Sequence, residues 1–322
     1  MKMHMPRTGI IVLATVLFAG CSILQQPVEP VDEEPVVTIP APPAPAPEPA
    51  PPKPVAPVVP LPPVAIVMTN GQAAYADVAN ELTKHFENHQ IYDLSKSSQP
   101  PVAVLRLIND VDPGVVIAIG LRAAKSSVAM SEQPVVFSQV FNYRQHGLLG
   151  KNSRGVASLP PLDAQLAAWK EVDPTVARIG MIVGEGHDDL ISEARSAAEK
   201  RGIELVVQVT NSDQETLYYF RRMIRNIDGF WLLPDNRILS ARVLREMFAD
   251  AKRQRVPVSV PADSMLSLGG MVSMTTSAAD IAESIVKVVR AIQAGRIDRV
   301  PPISPLSDIR VKTNGSGTVV QR

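Results

Sequence analysis

Asp235 and Asn236 stand where an apolar run over residues 229–233 ends and a helical pattern over residues 238–254 begins. A carboxylate at that place can neutralise a ligand's ammonium group, or it can cap the helix, because helix starts favour Asp and Asn acceptors. Asp263 follows another apolar run, residues 256–260, and offers the same charge. Arg122 opens a helical stretch over residues 122–130, just after Gly120 and Leu121. A cation is unfavourable at that end of the helix dipole, and a guanidinium grips carboxylates through a two-pronged fork. Its placement therefore argues for an anionic group nearby. Phe141 and Tyr143, on either side of Asn142, either stack a ligand ring or close an interface.

Other candidates carry less chemistry. His85 and His89 lie four apart on a helical pattern, a spacing that can grip zinc on one face. No third ligand accompanies them, and Glu87 points elsewhere on a 3.6-residue helix, so a solvated helix end is the expectation and no metal or cofactor is assigned. Arg221, Arg222 and Arg225 sit near the end of their helix, where cations complement the dipole, and read as surface. Ser126 and Ser127 lack a paired His and Asp, which leaves nucleophilic hydrolysis without support. The chain is not expected to be an enzyme.

The elements that must position these residues alternate. Apolar runs at 64–69, 90–94, 115–119 and 134–137 are interleaved with helical patterns at 72–87, 102–108 and 122–130. The rhythm restarts with helices at 162–172, 189–201, 214–225 and 238–254 and strands at 178–183, 204–209, 229–233 and 256–260. Gly202 and Gly295 close helices as left-handed caps, the latter ending a helix over 278–294 whose stripe Val286, Val289, Ile292 faces a core. This alternation predicts an α/β fold with parallel sheets covered on both faces, in two lobes. The expected boundaries are 64–157 for a first lobe completed by part of 270–322, 158–269 for a second, and 270–322 for a crossover helix and strand. Ligands of open parallel sheets bind beyond the carboxyl ends of strands. That rule nominates Asn70-Gly71, Gly120-Leu121-Arg122, Phe141-Asn142-Tyr143, Gly184-Glu185-Gly186, Asp235-Asn236-Arg237 and Asp263-Ser264, lining a shared cleft if the lobes face each other.

The N-terminus reads as a processing signal. Lys2 and Arg7 precede an apolar run over residues 9–19, which falls short of the roughly 20 residues a membrane span needs. Ala19 and Gly20 before Cys21 fit a lipoprotein cleavage box, although Phe18 is bulkier than such boxes usually carry. The competing reading is a plain secretory signal with an incidental cysteine. Cys21 is the single cysteine, so disulfides are excluded and a core must supply the stability. Residues 27–63 are dominated by proline, alanine, valine and glutamate, and proline forbids helix and sheet ladders there. A disordered, extended spacer from residue 21 to residue 63 is expected, with a reach on the order of 100 Å. Charges balance at 32 against 32, which gives no basic excess for nucleic acid.

The stretch Gly155–Leu166, with Arg178–Val183, Leu233-Pro234-Asp235-Asn236, Leu268–Val272 and Ala118-Ile119-Gly120, resembles the substrate-binding proteins of ABC transporters of the tryptophan/tyrosine-uptake type. The resemblance runs from Val64 to Lys312. It implies the type I periplasmic binding protein architecture, two Rossmann-like lobes joined at a hinge with a ligand in the cleft. It implies an amino-acid-like or aromatic small molecule, an inner-membrane ABC permease as partner, and a periplasmic location. Departures accompany it. That family usually has a small hydroxyl residue where this chain has Leu121, and a Thr-Asp-Pro corner where this chain has Phe141-Asn142-Tyr143. A second expectation follows from them: a scaffold lipoprotein of the cell envelope that binds another envelope protein. The lipid anchor is expected in the inner or the outer membrane, and Ser22 after the lipidated cysteine is compatible with the outer one.

Overall fold

The computed structural model describes residues 62–96, 100–314 and 320–321. The signal, Cys21 and nearly all of the spacer therefore lie outside the described residues.

Strand β1 (Val64–Met68) is five apolar residues, all buried. Val64, Ile66 and Met68 enter one core, and Ala65 and Val67 enter the core on the opposite face. Period-two side chains force that division. Helix α1 (Ala73–Thr83) follows, then β2 (His89–Asp93), α2 (Pro101–Val111), β3 (Val115–Ile119), α3 (Leu121–Met130), β4 (Val135–Ser138) and β5 (Ser153–Val156). Pro101 sits at the first turn of α2, where a missing amide costs nothing. Asp112, in the left-handed region, ends α2 ahead of Pro113. Helix α1 stops four residues short of the expected 87, because the chain must turn through 84–88 to start β2.

The chain then crosses over residues 157–161 into α4 (Leu162–Val172), β6 (Arg178–Gly184), α5 (Asp188–Glu199), β7 (Glu204–Thr210), α6 (Asp213–Met223), β8 (Gly229–Trp231), α7 (Ala241–Gln254), β9 (Val258–Val260) and β10 (Val272–Thr275). Ser212 caps α6 by accepting from the Glu215 amide. Helix α7 begins three residues later than its apolar pattern suggested. Its cap is Ser240, which accepts from the Val243 amide, so Asp235 does not cap it. A second crossing, at Thr276 and Ser277, leads into α8 (Ala278–Gln293), whose buried stripe packs beside α1 in the first lobe. After β11 (Ile303–Ser304) a third crossing reaches β12 (Arg310–Thr313), with β13 (Val320–Gln321) beyond.

Two sheets result, ordered β11-β5-β4-β3-β1-β2 and β13-β12-β10-β9-β8-β6-β7. All pairings are parallel except β12 with β10 and with β13. Each sheet is covered by helices on both faces, with α4 and α5 on one side of the second sheet and α6 and α7 on the other. The two α/β lobes have the type I periplasmic binding protein architecture. Strand β5 escaped the apolar-run criterion because Ser153 and Arg154 stand in it. Arg154 is buried by donating to the carbonyls of Gly150, Lys151, Ser153, Ile297 and Val300.

Candidate functional site: an interlobe junction and a hinge-side cavity

The loop leaving β4 carries Phe141, Asn142, Tyr143, Arg144 and Gln145 out of the first lobe. It meets the loops that leave β6 and β8 in the second. Their meeting point is Asp235, which is 0% exposed. Its carboxylate accepts from the Gly184 amide (2.9 Å), the Arg237 amide (3.2 Å), Arg237 Nε (3.0 Å) and Nη2 (2.8 Å), and Asn142 Nδ2 (3.0 Å). A carboxylate has about four lone-pair positions, so these five donors saturate it. Gly184 makes the approach possible, because a Cβ there would lie 2.7 Å from Asp235 Oδ2 and 2.6 Å from Arg237 Nη2.

Asn142, 3% exposed, joins the lobes. Its nitrogen also donates to Asn236 Oδ1 at 3.1 Å. Its oxygen is thereby left to accept, and His187 Nε2 lies 2.9 Å from it and 3.4 Å from Asp235 Oδ2. Burial pushes the Asp235 carboxyl upward. The hydrogen bonds from His187 and Arg237, with those from the Gly184 and Arg237 amides, outweigh burial and hold it well below the usual carboxylate range. It is an anion, matched by the Arg237 guanidinium. Around this centre, Gln145 Nε2 donates to the Gly186 carbonyl (2.8 Å), Arg237 Nη1 donates to the Glu185 carbonyl (3.0 Å), and Arg144 pairs with Asp189 at 2.8 Å across the lobes.

Most of the other nominated residues lie within their own lobes. Asn70 Oδ1 accepts from the Gln72 amide at 3.1 Å, and Gly71 lies beside Asp93 and Lys96. Gly120 has a φ of 84°, and a Cβ on it would fall 2.7 Å from Thr69 Oγ1 and 2.8 Å from Tyr75 Cζ. Thr69 and Tyr75 therefore cover the start of α3, with Thr69 Oγ1 accepting from the Ala123 amide at 3.1 Å. Leu121 packs against the first-lobe core and Arg122 is exposed. Asp263 accepts from Ser273 Oγ (2.6 Å) and pairs with Arg310 (3.3 Å), facing β10 and β12. Among the described residues, no hydrogen bond joins Asn70, Gly71, Gly120, Leu121, Arg122 or Asp263 to the opposite lobe.

Phe141 and Tyr143 face a different space. A cavity of about 260 Å³ lies beside the crossing segments, with walls from the loop after β4, from residues 157–162 and 303–306, and from the start of α5. Its lining is mainly apolar, including Leu159, Pro161, Leu190 and Leu306, with Gln145, Ser158 and His187 as polar members and Arg144, Asp189 and Glu193 as charged ones. Phe141 packs against His187 with ring centres 4.6 Å apart and planes tilted by 37°, so the cavity shares a wall with the Asp235 junction.

A family model described as "ABC transporter substrate binding protein" matches residues 74–310. The chain belongs to that family. No curated protein matches it. Among solved structures, this family member is similar to a conserved domain protein from Vibrio cholerae, at 21% identity and a TM-score of 0.55, covering 78% of this chain and 91% of that one. It is similar to an ABC domain in complex with L-Trp from Streptococcus pneumonia, at 18% identity and a TM-score of 0.55 over the same shares, 78% and 91%. A ligand-free, open substrate binding protein with adhesive properties from Clostridium difficile matches at 15% identity and a TM-score of 0.58, covering 79% of this chain and 92% of that chain. These likenesses concern the fold. Such families are extracytoplasmic, and no helix among the described residues is long and apolar enough to cross a membrane.

Sequence reasoning nominated the loops holding Gly184, Asp235 and Arg237, and it placed Asn142 among the site residues. It missed His187, Gln145, Leu159, Leu190, Glu193 and Leu306.

Proposed function

We propose that this family member is a periplasmic lipoprotein, anchored through lipid on Cys21 and displayed on the proline-rich spacer. In this reading it captures a small solute between its lobes and presents it to an inner-membrane ABC permease. Family membership supports the class. The observation that carries the interlobe reading is the 260 Å³ cavity, walled by both lobes and by two of the three crossing segments. A solute seated among such walls binds the closed arrangement better than an open one, and differential affinity is what shifts a hinge equilibrium. No chemical step is required.

Two measurements test it. A thermal-shift screen over amino acids, nucleosides and cofactor fragments is expected to yield a solute that adds roughly 2.7 kcal/mol at 100 times its Kd. Cys21→Ser is expected to move the protein from the membrane fraction to the soluble periplasm.

A second reading, the envelope scaffold, is favoured by a specific observation. Asp235 is saturated by the chain's own groups, and Thr69 and Tyr75 cover the start of α3. Both positions are ones where the resemblance would seat a free amino acid. Outer-membrane residence together with a screen that yields no solute would replace solute capture with the scaffold.

A further inference from the structure

We propose that the solute seat of this chain is the hinge-side cavity rather than the strand-tip junction, and that it takes a ring-bodied molecule of neutral or positive charge. The inference rests on the solute-binding reading above and names its site and ligand class. At the strand tips, the one buried acid already holds a cation. Arg237 places three nitrogens within 3.2 Å of Asp235, counting its amide, in the position where a ligand's ammonium would sit. A solute entering there must first displace the partly exposed Arg237 guanidinium from the buried Asp235 carboxylate, so it competes with the chain's own cation.

The cavity is built otherwise. Of the sixteen residues in the strand-end loops nominated from the sequence, Phe141, Tyr143 and Gly186 line it. Its volume of about 260 Å³ falls just under the usual span of ligand pockets, roughly 300–1,000 Å³, and exceeds the ~150 Å³ that holds a benzene ring in an apolar core. One ring with a short substituent fits, and a peptide does not. Phe141, Leu159, Pro161, Leu190 and Leu306 supply apolar contact.

Charge at the mouth sets the other end of the molecule. Arg144 lies over the Tyr143 ring at 5.7 Å and pairs with Asp189, so the cation lining the cavity is already engaged. Glu193 is exposed and has no ion pair or hydrogen bond among those described. The unmatched charge is therefore negative, and an aromatic wall favours a cation further.

Phenethylamine, 2-phenylethanol and phenylacetate share one ring and differ in charge, which makes them suitable probes by thermal shift and calorimetry on the full chain. The amine is expected to bind most tightly and the carboxylate least. Leu190→Trp, which fills the cavity, is expected to abolish all three shifts. Glu193→Gln alters only an exposed side chain and therefore remains informative if the tryptophan variant does not fold. It is expected to weaken the amine about two- to fivefold and to leave the alcohol unchanged. Tightest binding by phenylacetate would overturn the charge assignment. An amine shift that survives Leu190→Trp but vanishes in Asp235→Asn would return the seat to the strand tips. A broad screen that yields another solute while the trio yields none also refutes this inference and leaves solute binding intact. A screen that yields nothing refutes the solute reading itself.

Discussion

The two interlobe regions solve opposite problems with neighbouring residues. At the strand-tip junction the Asp235 carboxylate and the Asn142 amide have partners from the chain, and the charge of Asp235 is matched by Arg237. At the hinge side the walls are apolar and enclose empty space, with one acid unmatched at the rim. His187 belongs to both, through its Nε2 on one side and its packed ring on the other. A saturated polar cluster holds two bodies in one arrangement, because opening leaves buried groups without partners. An apolar chamber gains from being filled. The contrast teaches that, in this architecture, clasping the lobes and seating a molecule need not be done by the same residues.

The clasp breaks most severely at its centre. Asp235→Ala leaves the buried Asn142 amide without this acceptor and the partly exposed Arg237 guanidinium without its pair, and a loss of about 1–3 kcal/mol in urea unfolding is expected. Small-angle scattering is expected to report a larger radius of gyration for the same variant. Gly184→Ala drives a methyl into Asp235 and Arg237 and is expected to cost about 1–3 kcal/mol, with scattering changed in the same direction.

Acid sharpens the comparison. The folded carboxyl of Asp235 is held below its ordinary value of about 3.9, so its contribution is complete above that pH and is lost as pH falls toward the depressed folded value. The stability difference between the wild type and Asp235→Asn is therefore expected to be flat from about pH 7 to 5 and to shrink only below about pH 4, measured by urea midpoints. Arg144→Ala should matter least. Its pair with Asp189 has side chains 53% and 80% exposed, and an exposed pair contributes at most about 1 kcal/mol. Equal losses from Arg144→Ala and Asp235→Ala would erase the distinction between clasp and rim.

The elements were largely legible. The residues of α4 and β3 fall where periodicity and apolar runs placed them, because their burial is decided by their own pattern. Strand β5 was not legible, since its burial depends on carbonyls at residues 297 and 300, more than a hundred positions away, that receive Arg154. The start of α7 shifted because a local cap, Ser240, outcompeted an acid that tertiary contacts had claimed. The site shows the same limit. Strand-end rules located the loops, but they could not reveal that Arg237 turns back onto Asp235, nor that His187 reaches Asn142 across 45 positions. The cavity is an emergent space between segments, and no residue pattern announces a space.

Helix α8 comes near the end of the chain, yet it supplies Ala282, Ile285, Val286 and Val289 to the core that begins with Val64. The first lobe thus waits for a helix that follows the whole second lobe in sequence up to β10 before one face of its sheet is covered. Until then that face is a sticky, unfinished surface of the kind that draws aggregation during folding. Any truncation ahead of residue 278 is consequently a lesion of the first lobe, which matures only once residues 278–293 have been synthesised.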